Sequence, residues 1–297
     1  MEQSTQVIER SEYHARGASA EAIQAHYDIS NDFYKLWLDP SMTYSCALWQ
    51  EGDSLEVAQV RKLDLHLSQA RAQGKQNLLD IGCGWGALLN RAVQHYDVKS
   101  AVGLTLSAAQ AEWILDAKDS RINVHLESWE NHVPAEPYDA IVSVGAFEHF
   151  AKSGATKAEK LAAYRKFFEW CHAHSTDDCS LSLQTIVYEN YDESNPNPFV
   201  EEIFPESELP RVSEIFAACE GLFEVVQLQN HRVHYAKTLQ AWYNALRKNR
   251  HAAIDIVGEA TYKKYEKYLG VFIVGFHTGT VNLSRMEARK LSQPKVA

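Results

Sequence analysis

Apolar residues keep two rhythms along this chain. Through its middle, short apolar runs alternate with longer stretches in which apolar positions recur every three or four residues. The runs at 77–81, 100–104, 122–126, 138–144 and 180–187 read as buried strands, and the stretches at 87–95, 107–117 and 157–174 as amphipathic helices. Strands buried on both faces and separated by helices imply a parallel sheet covered on both sides. Toward the carboxyl terminus the rhythm changes. A strand at 223–228, helices at 238–248 and 259–269, and a last strand over the apolar run 271–283 are expected. A helical insert between the last two strands fits one α/β domain with added cover better than two domains.

Ahead of this alternation, Ser30 and Asn31 can cap a short helix carrying Phe33, Leu36 and Trp37. Asp53 with Glu56 reads as a capping box before an apolar face made by Val60, Leu63 and Leu67. Residues 1–20 read as loosely attached, and 152–156 and 190–198 as loops. Against 39 acidic residues stand 29 basic ones, a net charge of -10 with no local basic patch, so nucleic acid is not an expected partner. No apolar run is long enough to span a bilayer, and the first residues carry no apolar signal core. A cytoplasmic protein with at most peripheral membrane contact is therefore expected. The five cysteines (Cys46, Cys83, Cys171, Cys179, Cys219) are dispersed, and His172 and His174 would lie on different helix faces. Neither a disulfide framework nor a metal site is expected.

The strongest local signal is Leu78-Leu79-Asp80-Ile81-Gly82-Cys83-Gly84-Trp85-Gly86. An apolar strand ends at an Asp and runs into a glycine turn from which the next helix starts. Glycine permits the turn and a close approach of backbone to ligand, and the helix offers its free N–H groups to the same space. The spacing is G-x-G-x-G, not the dinucleotide G-x-G-x-x-G, and D-I-G-C-G-W-G resembles motif I of the class I S-adenosylmethionine (SAM) methyltransferases. Many of those enzymes end the second strand in an acidic residue. This one has Leu104-Thr105-Leu106-Ser107 with Gln110 beyond, and Ser107 with Gln110 also reads as a capping box.

Six blocks make the resemblance specific: Tyr27 to Ala47, Leu79 to Gly86, Val102 to Gln110, Val144 to Phe150 (V-G-A-F-E-H-F), Glu202 to Pro205 (E-I-F-P) and His234 to Leu239. In this order they resemble the cyclopropane-fatty-acid synthase family, most of all its mycolic acid cyclopropane synthase branch, over nearly the whole chain. The resemblance implies an α/β class I methyltransferase (Rossmann-like) fold. Its seven-stranded sheet would be mostly parallel, with helices on both faces and a helical cover over the acceptor pocket. It implies one domain over 1–297, with a helical lid at 1–70, a cofactor-binding core at 71–187 and the acceptor cover and last strands at 188–297. Around SAM it places Tyr44 and Ser45 as closing residues, Asp80, Gly82 and Gly84 under the amino acid part, Thr105, Leu106 and Gln110 at the ribose, and Trp129 and Glu130 at the adenine. Core packing remains the alternative for Trp129. For the chemistry it implies a bicarbonate base held by Cys46, Glu148 and Tyr235, with backbone near Val144.

One departure matters. The family carries a histidine on the fifth strand where this chain has Gln184, which can donate a hydrogen bond but carries no proton or charge near neutral pH. The loop at 188–200, with Asn190, Asp192, Glu193 and Ser194, also reads as short and polar for lining a long alkyl tunnel. The expected function is therefore SAM-dependent C-methylation of an alkene carbon in a lipid-like or natural-product small molecule, through a carbocation. Alternatives are cyclopropane synthesis on unsaturated acyl chains, O- or N-methylation of a small molecule, and SAM binding without catalysis. A homo-oligomer stays open. The aromatic stripe from Trp242 to Phe276 is expected to be core more than pocket, and Lys263, Lys264 and Lys267 a solvated face.

Overall fold

The computed structural model describes residues 29–191 and 208–292. Residues 1–28, the E-I-F-P block and most of the 188–200 loop thus lie outside the described residues. The described elements, in order, are α1 (Asn31–Lys35), α2 (Leu55–Gln69), β1 (Asn77–Ile81), α3 (Ala87–His95), β2 (Ser100–Thr105), α4 (Ala108–Asp116), β3 (Ile122–Leu126) and β4 (Tyr138–Val144). They continue with α5 (Lys157–Ala173), β5 (Ser175–Tyr188), α6 (Val212–Cys219), β6 (Phe223–Asn230), α7 (Arg232–Lys248), α8 (Arg250–Thr278) and β7 (Val281–Lys290).

Seven strands form one sheet in the order β3-β2-β1-β4-β5-β7-β6. The pairs from β3 through to β5 are parallel, and β7 runs antiparallel to both β5 and β6. The order reverses between β1 and β4, which opens a crevice at their carboxyl ends. One sheet face is covered by α5 and α6, through Tyr164, Phe167, Phe168 and Ile215. The other is covered by α2 and α3, through Leu63, Leu67, Leu88 and Leu89. A third cluster is mainly aromatic: Phe33 and Tyr34 of α1, with Trp37 just beyond it, pack on Trp242, Tyr262, Tyr265 and Phe276 of α7 and α8.

Several boundaries differ from the sequence expectation. Most of the apolar run 271–283 is not strand: α8 continues to Thr278, Gly279 ends it in the left-handed conformation (φ 78°), and only the last three residues of the run enter β7. The β-branched residues of that run are overruled by tertiary packing, because Leu269, Phe272 and Phe276 share one buried helix face in the aromatic cluster. Ser175 pairs with Tyr138 ahead of an irregularity in the ladder, so β5 starts five residues before the expected 180. The cap of α2 is Ser54, whose hydroxyl accepts from Val57 N, while Asp53 pairs with Arg61. Ser107 caps α4, but Gln110 turns to Thr105, so only half of that capping box forms. The short helix α6 was not anticipated.

Candidate active site

A cavity of about 800 Å³ lies at the carboxyl ends of β1, β2 and β4, the size of a pocket for a drug-sized ligand. Every residue expected around the cofactor lines it. Tyr44 and Ser45 come from the segment before α2, Asp80, Gly82 and Gly84 from the end of β1, and Thr105, Leu106 and Gln110 from the turn into α4. Trp129 and Glu130 follow β3, and Val144 ends β4. Trp129 borders the cavity and its ring meets Phe167 edge-on at 5.6 Å.

The walls are set by long-range bonds. Gln59 donates to the carbonyls of Thr43 and Ser45, which fixes the closing segment over the cavity. Lys62 donates to Ser45 Oγ at 2.9 Å and also lines the cavity. Burial pushes Lys62 down to about 8, and the same cause pushes Asp80 up to about 7. The Lys62 ammonium opposes that rise, and Asp80 Oδ1 is buried without a partner. Gly82 is at φ +80°, and a Cβ on it would sit 2.5 Å from Ala146 Cβ. The loops after β1 and β4 therefore meet at Gly82, so its lack of a side chain serves their packing in addition to any ligand approach. Gly84, by contrast, has nothing within 4 Å of its would-be Cβ.

The raised Asp80 has a consequence for stability. A carboxyl whose folded value lies above its unfolded one stabilises the protein below the unfolded value, and that contribution is lost as pH rises through the folded value. For Asp80 the window runs from the ordinary Asp range to about 7. Asp80→Asn removes the titration, so Tm should fall less between pH 5 and pH 8 than in the wild type, by roughly 2–4 °C per kcal/mol recovered. Thermal denaturation at the two pH values checks this, and parallel slopes would refute it.

The residues assigned to chemistry do not share the lining of this cavity. Cys46, Glu148, Gln184 and Tyr235 are all buried, and they lie in two groups outside the lining. Burial raises the Cys46 thiol, with Arg285 opposing. Arg285 ties the first group together: its Nε donates to Gln184 Oε1 at 2.8 Å and its Nη2 to the Cys46 carbonyl at 2.8 Å. Tyr235 is electrostatically coupled to it. His66 joins from α2, bridging Ser182 Oγ at 2.8 Å and Gln184 Oε1 at 3.2 Å. Glu148 forms the second group. Its Oε1 accepts from Ile186 N at 2.6 Å, its Oε2 is buried without a partner, and burial pushes its carboxyl up to about 7. Its neighbour His149 instead lines the cavity, held down to about 4 by burial.

Sequence reading missed Lys62, His66 and Arg285. The signal for the first two was a polar stripe, Gln59, Lys62, His66 and Gln69, at helical spacing on α2. It would ordinarily be taken for a solvent face, yet all four residues are buried. His125 of β3 also gathers with Glu127 and His132 just after it, with one ligand atom each within 4.8 Å of the others. Glu127 and His132 are already bonded at 2.7 Å.

A protein-family profile described as mycolic acid cyclopropane synthetase matches residues 14–286. Cyclopropane mycolic acid synthase 3 of Mycobacterium tuberculosis is 38% identical over 289 residues, spanning 90% of this chain and 96% of that protein. Cyclopropane mycolic acid synthase 2 of Mycobacterium leprae is 40% identical over 273 residues, spanning 84% of this chain and 87% of its own. Among solved structures, the mycolic acid cyclopropane synthase CmaA1 complexed with SAH and CTAB superposes with a TM-score of 0.83. It is 36% identical and covers 92% of this chain and 99% of its own.

Proposed function

Since the chain belongs to the mycolic acid cyclopropane synthase family and so is a SAM-dependent methyltransferase of the class I fold, we propose that it cyclopropanates an unsaturated acyl chain. The cavity carries this reading, because it gathers every residue expected around SAM, and its wall includes His149, the chain neighbour of the buried Glu148. The sequence departures favoured methylation without ring closure. The relatives favour the ring, since those at 38–40% identity are named as cyclopropane synthases.

The residues fit SAM. Asp80 Oδ1 is a buried acceptor without a partner, suited to an ammonium group, and Gly84 leaves open space at the wall. Bound SAM supplies a methyl group activated by a sulfonium. An alkene that takes this methyl becomes a carbocation, and loss of a proton from the new methyl closes a three-membered ring. The chain must exclude water meanwhile, and the aromatic cluster of α1, α7 and α8 gives it the apolar bulk to do so. Glu148, pushed up to about 7, is a group able to take or hold that proton near neutral pH. Bicarbonate also fits, because Arg285 Nη1 and Glu148 Oε2 are buried polar atoms without partners. Cys46, Glu148 and Tyr235 would hold it, and its chemistry there would be that of a weak base. In this reading 29–70 acts as lid, and α7 and α8 as acceptor cover.

The test is turnover with SAM and a cis-unsaturated acyl substrate, with products read by mass and by NMR. A gain of one methylene unit with cyclopropane protons supports the proposal. A methyl branch or a shifted double bond as the main product would refute ring closure, and methylation of oxygen or nitrogen alone would refute carbon chemistry.

A further inference from the structure

β3 forms one edge of the sheet and carries the exposed His125 one residue before its end. Side chains two apart in extended chain point the same way, and Glu127 follows His125. The chain then turns: the N–H groups of Asn131 and His132 both donate to the Ser128 carbonyl, at 3.0 and 3.1 Å. The turn returns His132 to Glu127, whose Oε1 accepts from His132 Nδ1 at 2.7 Å. His125 Nδ1 lies 3.8 Å from the same oxygen. Among the described residues no other three His, Cys, Asp or Glu side chains gather so closely. Two imidazoles and one carboxylate suit zinc and its first-row neighbours, whereas magnesium and calcium favour oxygen donors alone. A tetrahedral ion with bonds of about 2.1 Å keeps its donors about 3.4 Å apart. That value falls between the observed 2.7 Å and 3.8 Å, so small side-chain rotations set the geometry. Glu130 does not compete, because Lys166 holds it at 2.6 Å.

We infer that His125, Glu127 and His132 form a binding site for one divalent transition-metal ion of the zinc class. A metal-bound imidazole is oriented by the bond at its other nitrogen. Tyr138, the first residue of β4, is that positioning residue, with its hydroxyl 2.7 Å from His132 Nε2. In the metal-bound form the ring proton sits on Nε2 and is donated to Tyr138 Oη, so Nδ1 and Glu127 both turn to the ion. His132 and Tyr138 are buried while His125 is exposed, which gives the ion an entry from solvent and water as its fourth ligand. The two histidines stand outside the cofactor cavity, but Glu127 and the turn 128–131 line it. The ion is therefore a clip on the turn that carries Trp129 and Glu130, and it couples to whatever fills the cavity, equally in both directions. The metal site stands without the proposed function; the coupling to SAH rests on it.

The experiment uses the full chain, stripped with a chelator and titrated with Zn²⁺ by calorimetry and with Co²⁺ by visible absorption, with Mg²⁺ as control. Wild type should bind one Zn²⁺ per chain, far more tightly than Mg²⁺, and give the intense visible bands of tetrahedral Co²⁺. His125→Ala and Glu127→Gln should each weaken Zn²⁺ at least tenfold. Tyr138→Phe should weaken it by about tenfold and shift the Co²⁺ bands, which a purely structural role would leave in place. His125 is exposed, so His125→Ala decides the matter even if a variant at a buried position fails to fold. Zn²⁺ should also tighten SAH in wild type by about fivefold or more, and that gain should vanish in His125→Ala. No Zn²⁺ binding, equal affinity for Mg²⁺, or Zn²⁺ binding that survives both His125→Ala and Glu127→Gln would overturn the site. Zn²⁺ binding that leaves SAH affinity unchanged would overturn the clip. No SAH binding with or without Zn²⁺ would instead overturn the proposed function, and the Zn²⁺ titration would still judge the site.

Discussion

Glu148→Gln should lower turnover by roughly 100- to 10,000-fold, the usual cost of losing a proton-handling group, while SAH affinity stays within about twofold of wild type. The geometry gives both halves of this expectation. The amide preserves the shape and can still accept from Ile186 N, which now bonds Glu148 Oε1 at 2.6 Å. What disappears is an acid pushed up to about 7 by burial, with its second oxygen unpartnered. The cofactor affinity should hold because Glu148 is not part of the cavity lining. The variant should also be at least as stable as wild type above pH 7, since a buried carboxylate is costlier there than a buried amide. Single-turnover kinetics beside SAH calorimetry would show this. Near-wild-type turnover would reduce Glu148 to a structural partner of β5.

The second large effect is expected at Gly82. Gly82→Val should destabilise the protein by about 3 kcal/mol or more, combining a left-handed backbone at a β-branched residue with overpacking. Cofactor binding should go with it. Its Cβ would lie 2.5 Å from Ala146 Cβ, a distance real Cβ atoms do not tolerate. Loss of SAH binding in Gly82→Val alone would therefore not prove that a ligand needs the space. A double-mutant cycle separates the causes: in Gly82→Ala, adding Ala146→Gly should restore at least about 1 kcal/mol, because the two sites touch. Chemical denaturation of the four proteins measures it. No coupling would mean that the β1 and β4 loops shift freely and that only the backbone strain matters.

The two departures that argued against ring closure weigh less after the structure and the comparisons. Gln184 looked like a lost charge only because its cross-strand neighbour was invisible in the sequence. Position 285 is more than 100 residues away, and only the antiparallel register of β5 and β7 sets the two face to face. The polar loop at 188–200 lies mostly outside the described residues, so it weighs neither way.

The sequence by itself determined the doubly wound core and the residues that line the cavity at its switch point. β1, β3, β4 and α3 lie where the hydrophobic pattern put them, because short buried strands and amphipathic helices are local patterns with distinct periods. The D-I-G-C-G-W-G turn is local too, and the strand it ends carries it to the switch point whatever happens elsewhere. Tertiary structure decided what depends on distant partners. Residues 271–278 became helix because α1 and α7 offered them an aromatic face, although their β-branched residues favour strand. Gly82 is glycine partly for Ala146, from another strand's loop. The polar stripe of α2 is buried because it meets Ser45, Ser182 and Gln184, and burial turns an ordinary surface pattern into a network in which unpaired charge is costly.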